Sequence, residues 1–117
     1  MRVKIDTKLI FEDGVKTYNV VGILVDNLLK YKEEDTVVVI DFSNSQMVRE
    51  DVDKKIEYKF LEKSETLNDL FIKESNYQVK IPIVTDKFCC YDNNCFIQYK
   101  LLLENKIITY EVSWEEI

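Results

Sequence analysis

The sequence predicts an all-β fold: a single small antiparallel barrel over residues 1–117, built as a meander of mostly adjacent strands. Three observations carry this expectation. Apolar and polar side chains alternate with the two-residue period of a strand through most of the chain. Clusters of Asp, Asn, Gly and Ser interrupt that alternation at roughly the 8 to 12 residue spacing of sandwiches and barrels. Finally, Phe96 to Trp114 reads as a hairpin, with Ile97, Tyr99, Leu101 and Leu103 on one side of its first strand and Ile108, Tyr110, Val112 and Trp114 on one side of its second. Its connection, Glu104-Asn105-Lys106, carries an Asn, which tolerates the left-handed backbone that closes such loops.

Each element follows from the same rule. From Arg2 to Glu12, Val3, Ile5, Thr7, Leu9 and Phe11 share one face and charged residues the other, so this is a half-buried strand. Asp13-Gly14 turns it into a second strand, Val15 to Val25, in which Gly22 marks a bend or bulge. After Asp26-Asn27 come a short strand, Leu28 to Lys32, and a charged turn, Lys32-Glu33-Glu34-Asp35. The β-branched run Thr36 to Phe42 follows, then Ser43-Asn44-Ser45, a strand from Gln46 to Glu50, the tip Asp51 to Lys54 and a strand from Lys55 to Leu61. Residues 63 to 75 alternate poorly and place Leu67, Leu70 and Phe71 at helical spacing behind Ser64 and Thr66, so 64–74 reads either as a short helix or as an irregular strand. Tyr77 to Thr85 is a strand in which Pro82 suggests an edge or bulge. Lys87 to Tyr91 and the turn Asp92-Asn93-Asn94 lead into the closing hairpin.

Composition narrows the functions. Hydrophobic residues make up 46% and charged residues 32%, enough for one real core without a metal or disulfide framework. The net charge of −6, with no Lys/Arg cluster, argues against nucleic acid or an anionic membrane as partner. The longest uncharged stretch, Thr17 to Val25, is too short to span a bilayer, and Met1 to Ile5 opens on a strand pattern instead of a signal peptide. Both point to the cytoplasm. Cys89, Cys90 and Cys95 are odd in number and two are adjacent, so they read as reduced thiols and small strand residues.

Histidine is absent, which removes Ser-His and Cys-His nucleophile pairs and histidine-type zinc catalysis. Three cysteines without a fourth ligand make a poor zinc site, and Lys55 and Ile56 stand where a calcium loop beginning at Asp51 needs an oxygen ligand and a glycine. With only two glycines there is no phosphate-cradling loop. No catalytic residue, metal site or cofactor is therefore expected, and the chain reads as a non-enzyme. Arg49, one of only two arginines, is in phase with Met47 on its strand. Pointing inward, it could hold a ligand carboxylate through paired hydrogen bonds, aided by the hydroxyls of Tyr58, Tyr99 or Tyr110. Facing water beside its turn it would be an ordinary surface arginine, and tyrosines on apolar faces commonly serve as core. Trp114 would line such a pocket and report an entering lipophilic ligand by its fluorescence.

The opening VKIDTKLIFEDG, the YKEE segment Tyr31 to Glu34, the Met47-Val48-Arg49 strand and the terminal KIITYEVSW resemble the uncharacterised YwiB-like family of bacterial proteins. That resemblance implies a calycin-type barrel similar to lipocalins and fatty-acid-binding proteins. It also implies a module binding a small apolar or acidic ligand, although the bulk of the inward residues would fill so small a barrel. The other reading is a structural or interaction protein that meets a protein partner through a barrel face or an edge strand near Pro82 and residues 63–75.

Overall fold

A computed structural model describes residues 1–117 as ten antiparallel strands closed into a barrel. In chain order these are β1 (Arg2–Phe11), β2 (Gly14–Val25), β3 (Leu28–Glu33), β4 (Thr36–Asp41) and β5 (Gln46–Glu50), then β6 (Lys54–Lys59), β7 (Ser64–Ile72), β8 (Tyr77–Tyr91), β9 (Asn94–Leu101) and β10 (Lys106–Glu116). Each strand pairs with the next, and β10 returns to β1 through pairs running from Val3↔Glu116 to Ile10↔Thr109. There is no helix, hence none long and apolar enough to cross a membrane.

Alternation decides what faces inward. The core is made of Val3, Ile5, Leu29, Tyr31, Val38, Ile40, Met47, Tyr58, Phe60, Ile83, Cys95, Ile97, Tyr99, Tyr110 and Val112, each in the inward phase of its strand except Phe60, which follows the end of β6. Phe60 stacks against Tyr58 and Phe88, with centroids 5.8 and 5.4 Å apart.

Several local expectations change. Residues 64–72 form strand β7 and no helix. Their alternation is poor because the buried inward residue is Asn68, not an oily one. Asn68 works as a splice: the β6–β7 ladder ends at Glu57↔Asp69, and beyond it the Lys59 N–H donates to Asn68 Oδ1 at 2.6 Å while Asn68 Nδ2 donates to the Ile81 carbonyl at 3.2 Å. Pro82 is on no edge, since the barrel is closed. Its carbonyl accepts from the Leu102 N–H beyond the end of β9, so the side lacking a donor faces a loop and costs no ladder bond. The two strands read at 77–85 and 87–91 are one, β8, with a register shift between Thr85 and Lys87. In the last hairpin Leu101 pairs with Lys106, so the loop begins at Leu102, and Leu103 is exposed instead of inward. Asn105 does take the left-handed conformation, φ 54°.

The cysteines also depart from the reduced-thiol expectation. Asp92 and Asn93 both have positive φ, the two-residue turn that matches strand twist, and this places Cys90 directly opposite Cys95 with Cα atoms 4.1 Å apart. The two form a disulfide, while Cys89, on the opposite face, is exposed and free. Alkylating unfolded, unreduced protein is expected to label Cys89 alone. Converting both Cys90 and Cys95 to alanine should cost about 2 kcal/mol or less in denaturant melts, because the closed loop is short.

Candidate functional site

The inward row of β3 ends on a charge. Leu29, Tyr31 and Glu33 are in phase, and Glu33, read from sequence as part of a turn, is the last residue of the strand and almost fully buried. Around it the barrel brings together residues from three other strands. Arg49, on β5, donates to Glu33 Oε1 at 2.9 Å. Thr7, on β1, and Tyr110, on β10, donate to Glu33 Oε2 at 3.0 and 2.5 Å, and the Tyr31 hydroxyl is hydrogen-bonded to that of Tyr110. The Arg49 guanidinium also lies over the Tyr110 ring, 5.7 Å from its centroid.

Electrostatics follow from burial. Desolvation would lower the Arg49 pKa, but the Glu33 carboxylate, followed by the Tyr110 and Tyr31 hydroxyls, more than offsets it, so the guanidinium is held charged. Burial, reinforced by neighbouring hydroxyls or by Glu33, raises Tyr31, Tyr99 and Tyr110 above the ordinary tyrosine range. The unfolded chain ionises these tyrosines near pH ~10 while the folded one still binds their protons. Stability should therefore be fully present below that pH and fall as pH rises above it, read as a dropping Tm with tyrosinate absorbance appearing only on unfolding.

The sequence-selected residues separate into two groups and one outlier. Arg49 and Tyr110 share the Glu33 cluster. Tyr58 and Tyr99 form a second pair, rings 5.5 Å apart, in the aromatic middle of the barrel. Trp114 lies further along β10, stacked on Phe42 at 4.9 Å, with its buried Nε1 meeting no acceptor. Arg49 does point inward, but a carboxylate of the chain itself occupies it. Thr7 and Glu33 escaped the sequence reading, although their phase with Ile5 and Tyr31 was the signal for both.

Two concavities are lined mostly by outward-facing side chains. The larger, an open groove of about 780 Å³, crosses β2, β1, β10, β9 and β8, where register aligns Asn19, Asp6, Ser113, Asn94 and Tyr91 side by side. A second, of about 310 Å³, adjoins it at the Asp92-Asn93 turn.

No family model matches the chain. No curated protein matches it either. Among solved structures, it is similar to the crystal structure of the YwiB protein from Bacillus subtilis, with a TM-score of 0.71 and 15% sequence identity over 99% of this chain and 92% of that one. At that identity the likeness is one of fold.

Proposed function

We propose that this chain is a non-catalytic interaction module, a rigid barrel that works through its outer surface. The observation that carries this reading is the self-sufficiency of the inward charged cluster: Glu33 is paired with Arg49, Thr7 and Tyr110, and the rings of Tyr58, Phe60 and Tyr99 pack in the middle of the barrel. A buried charge already paired and hydrogen-bonded supports structure without a ligand. The barrel closes on itself with no strand left unpaired on either side along its whole length, so a face is the larger surface on offer. Native mass spectrometry of protein purified from its own host tests this: the mass of the chain alone is expected, and a stoichiometric small molecule released by solvent would overturn the reading.

One observation favours a second reading, the small-ligand barrel implied by the calycin-type resemblance. About a fifth of the Arg49 side chain (21%) is open to solvent, and inward-facing Phe11, Ile56 and Ile108 at the same end are only partly buried. A small apolar or acidic molecule seated there would touch Arg49 and Tyr110, and Trp114, remote from that end, would not report it. Both readings keep the expectation of a cytoplasmic protein, where the Cys90–Cys95 bond would follow the redox state of its surroundings.

A further inference from the structure

The groove across β2, β1, β10, β9 and β8 is set by side-chain length. Register lines up Asn19, Asp6, Ser113 and Asn94, one from each of four adjacent strands, and all four side chains are short. The outward rows two residues away are long: Lys8, Glu111 and Phe96 on one side, Lys4 and Glu115 on the other. A line of short polar side chains between two taller rows is a trough, and the groove of about 780 Å³ follows it. At the usual strand spacing the line runs about 19 Å from Asn19 to Tyr91, which lies opposite Asn94 on β8. The smaller concavity continues it, sharing Asp6, Asp92, Asn94 and Ser113.

The lining narrows what can lie there. Around the two concavities the carboxylates of Asp6, Asp92, Glu111 and Glu115 outnumber the ammonium groups of Lys4 and Lys8, which disfavours an anionic ligand. A purely apolar ligand would cover amides, a hydroxyl and a carboxylate and leave them without partners. Those groups are available: Asn94 donates to the Asp92 carbonyl at 2.8 Å, and the side chains of Asn19, Asp6 and Ser113 are held by no other residue. At the β8 end the polar line meets aromatic rings. Tyr91 is 79% exposed, and Phe96 stands diagonal to it across the β8–β9 ladder. The Lys87 ammonium lies 6.0 Å from the centre of the Phe96 ring, which leaves Tyr91 as the open aromatic platform.

We propose that this trough binds a neutral carbohydrate chain, lying across the strands with one sugar ring stacked on Tyr91. A sugar matches both parts of the lining. Its neighbouring hydroxyls donate to the Asp6 carboxylate and exchange hydrogen bonds with Asn19 and Asn94, whose amides donate and accept at once, while the C–H face of its ring packs on an aromatic face. A linear oligomer matches the length, because a single sugar would meet one end of the line only. The inference rests on the reading that the barrel works through its outer surface, and it assigns a ligand to one side of that surface. Held in an open groove by hydrogen bonds that water can replace, the sugar is not expected to copurify with the chain.

The test is titration of the isotope-labelled protein with maltohexaose, cellohexaose, xylohexaose and mannohexaose, read by backbone amide chemical shifts. At least one of these sugars is expected to bind, with shifts gathered along Asn19, Asp6, Ser113, Asn94 and Tyr91 and an affinity that added salt leaves unchanged. Asp6→Ala should weaken that sugar at least about tenfold, the loss of one hydrogen bond to a charged group. Tyr91→Ala should weaken it too, and because the residue is so exposed this variant keeps the test valid should Asp6→Ala fail to fold. Gln46→Ala, outward on β5 across the barrel, should leave it unchanged. Silence from all four sugars, or binding indifferent to both groove variants, would overturn the proposal. So would spermine taking the groove in a salt-sensitive way, which makes it a site for cations. A sugar that shifts Arg49 and Tyr110 instead lies inside the barrel and defeats the outer-surface reading, whereas silence with an empty barrel defeats this proposal alone.

Discussion

Replacing Glu33 by glutamine is expected to lower stability by about 3–5 kcal/mol, the usual cost of removing one partner of a buried ion pair. Glu33 is 2% exposed and is the acceptor for Arg49, Thr7 and Tyr110 together, so the change strips the guanidinium of its counter-charge inside the barrel. The conservative shape of glutamine makes the loss electrostatic and not a cavity. Denaturant melts of Glu33→Gln, Arg49→Met and the double variant separate the terms: each single change should be severe, and the double should recover much of the loss because no orphaned charge remains. A Glu33→Gln protein as stable as the parent would mean that the cluster is not closed in solution, and the small-molecule reading of Arg49 would gain by it.

The second large effect is steric. Gly22 sits where β2 turns from its β1 ladder toward β3, and a Cβ there would lie 2.5 Å from Ile5 Cδ1, 2.5 Å from the Lys30 carbonyl oxygen and 2.9 Å from Tyr31 Cβ. The Ile5 methyl can swing aside, but the Lys30 oxygen is backbone and cannot. Gly22→Ala should cost about 3 kcal/mol and Gly22→Val more, since overpacking next to main chain has no cheap relaxation. The contrast is Gly14→Ala: a Cβ there comes no nearer than 3.5 Å to anything, so its cost should stay under about 1 kcal/mol. Equal Tm losses at the two glycines would remove close strand approach as the explanation.

Legibility followed the range of the interaction. Turn chemistry is local, so Asp13-Gly14 and Asp92-Asn93 announce their turns, although the first falls one residue earlier, at Glu12-Asp13, with Gly14 opening β2 opposite Phe11. The stretch at 63–75 was ambiguous for a tertiary reason. Asn68 is buried to accept from Lys59 and to donate to Ile81, and no local pattern marks a residue whose partners are on neighbouring strands. The disulfide turns on a local detail instead: a turn over Asp92-Asn93-Asn94 leaves Cys90 and Cys95 out of register, whereas the two-residue turn Asp92-Asn93 sets them directly opposite.

What the sequence determined by itself was the strand character of nearly every segment, the meander order and which side chains share a face, because side-chain parity is a property of a single strand. Only the tertiary structure decided which face is the inside where both are apolar, as in Val37-Val38-Val39. It alone brought Glu33 to Arg49, Thr7 and Tyr110, and lined up Ile23, Val39 and Val48 across the outside of β2, β4 and β5. The reason is that closure of the ring sets the register between strands far apart in the chain, and register, unlike parity, is not written in any one of them.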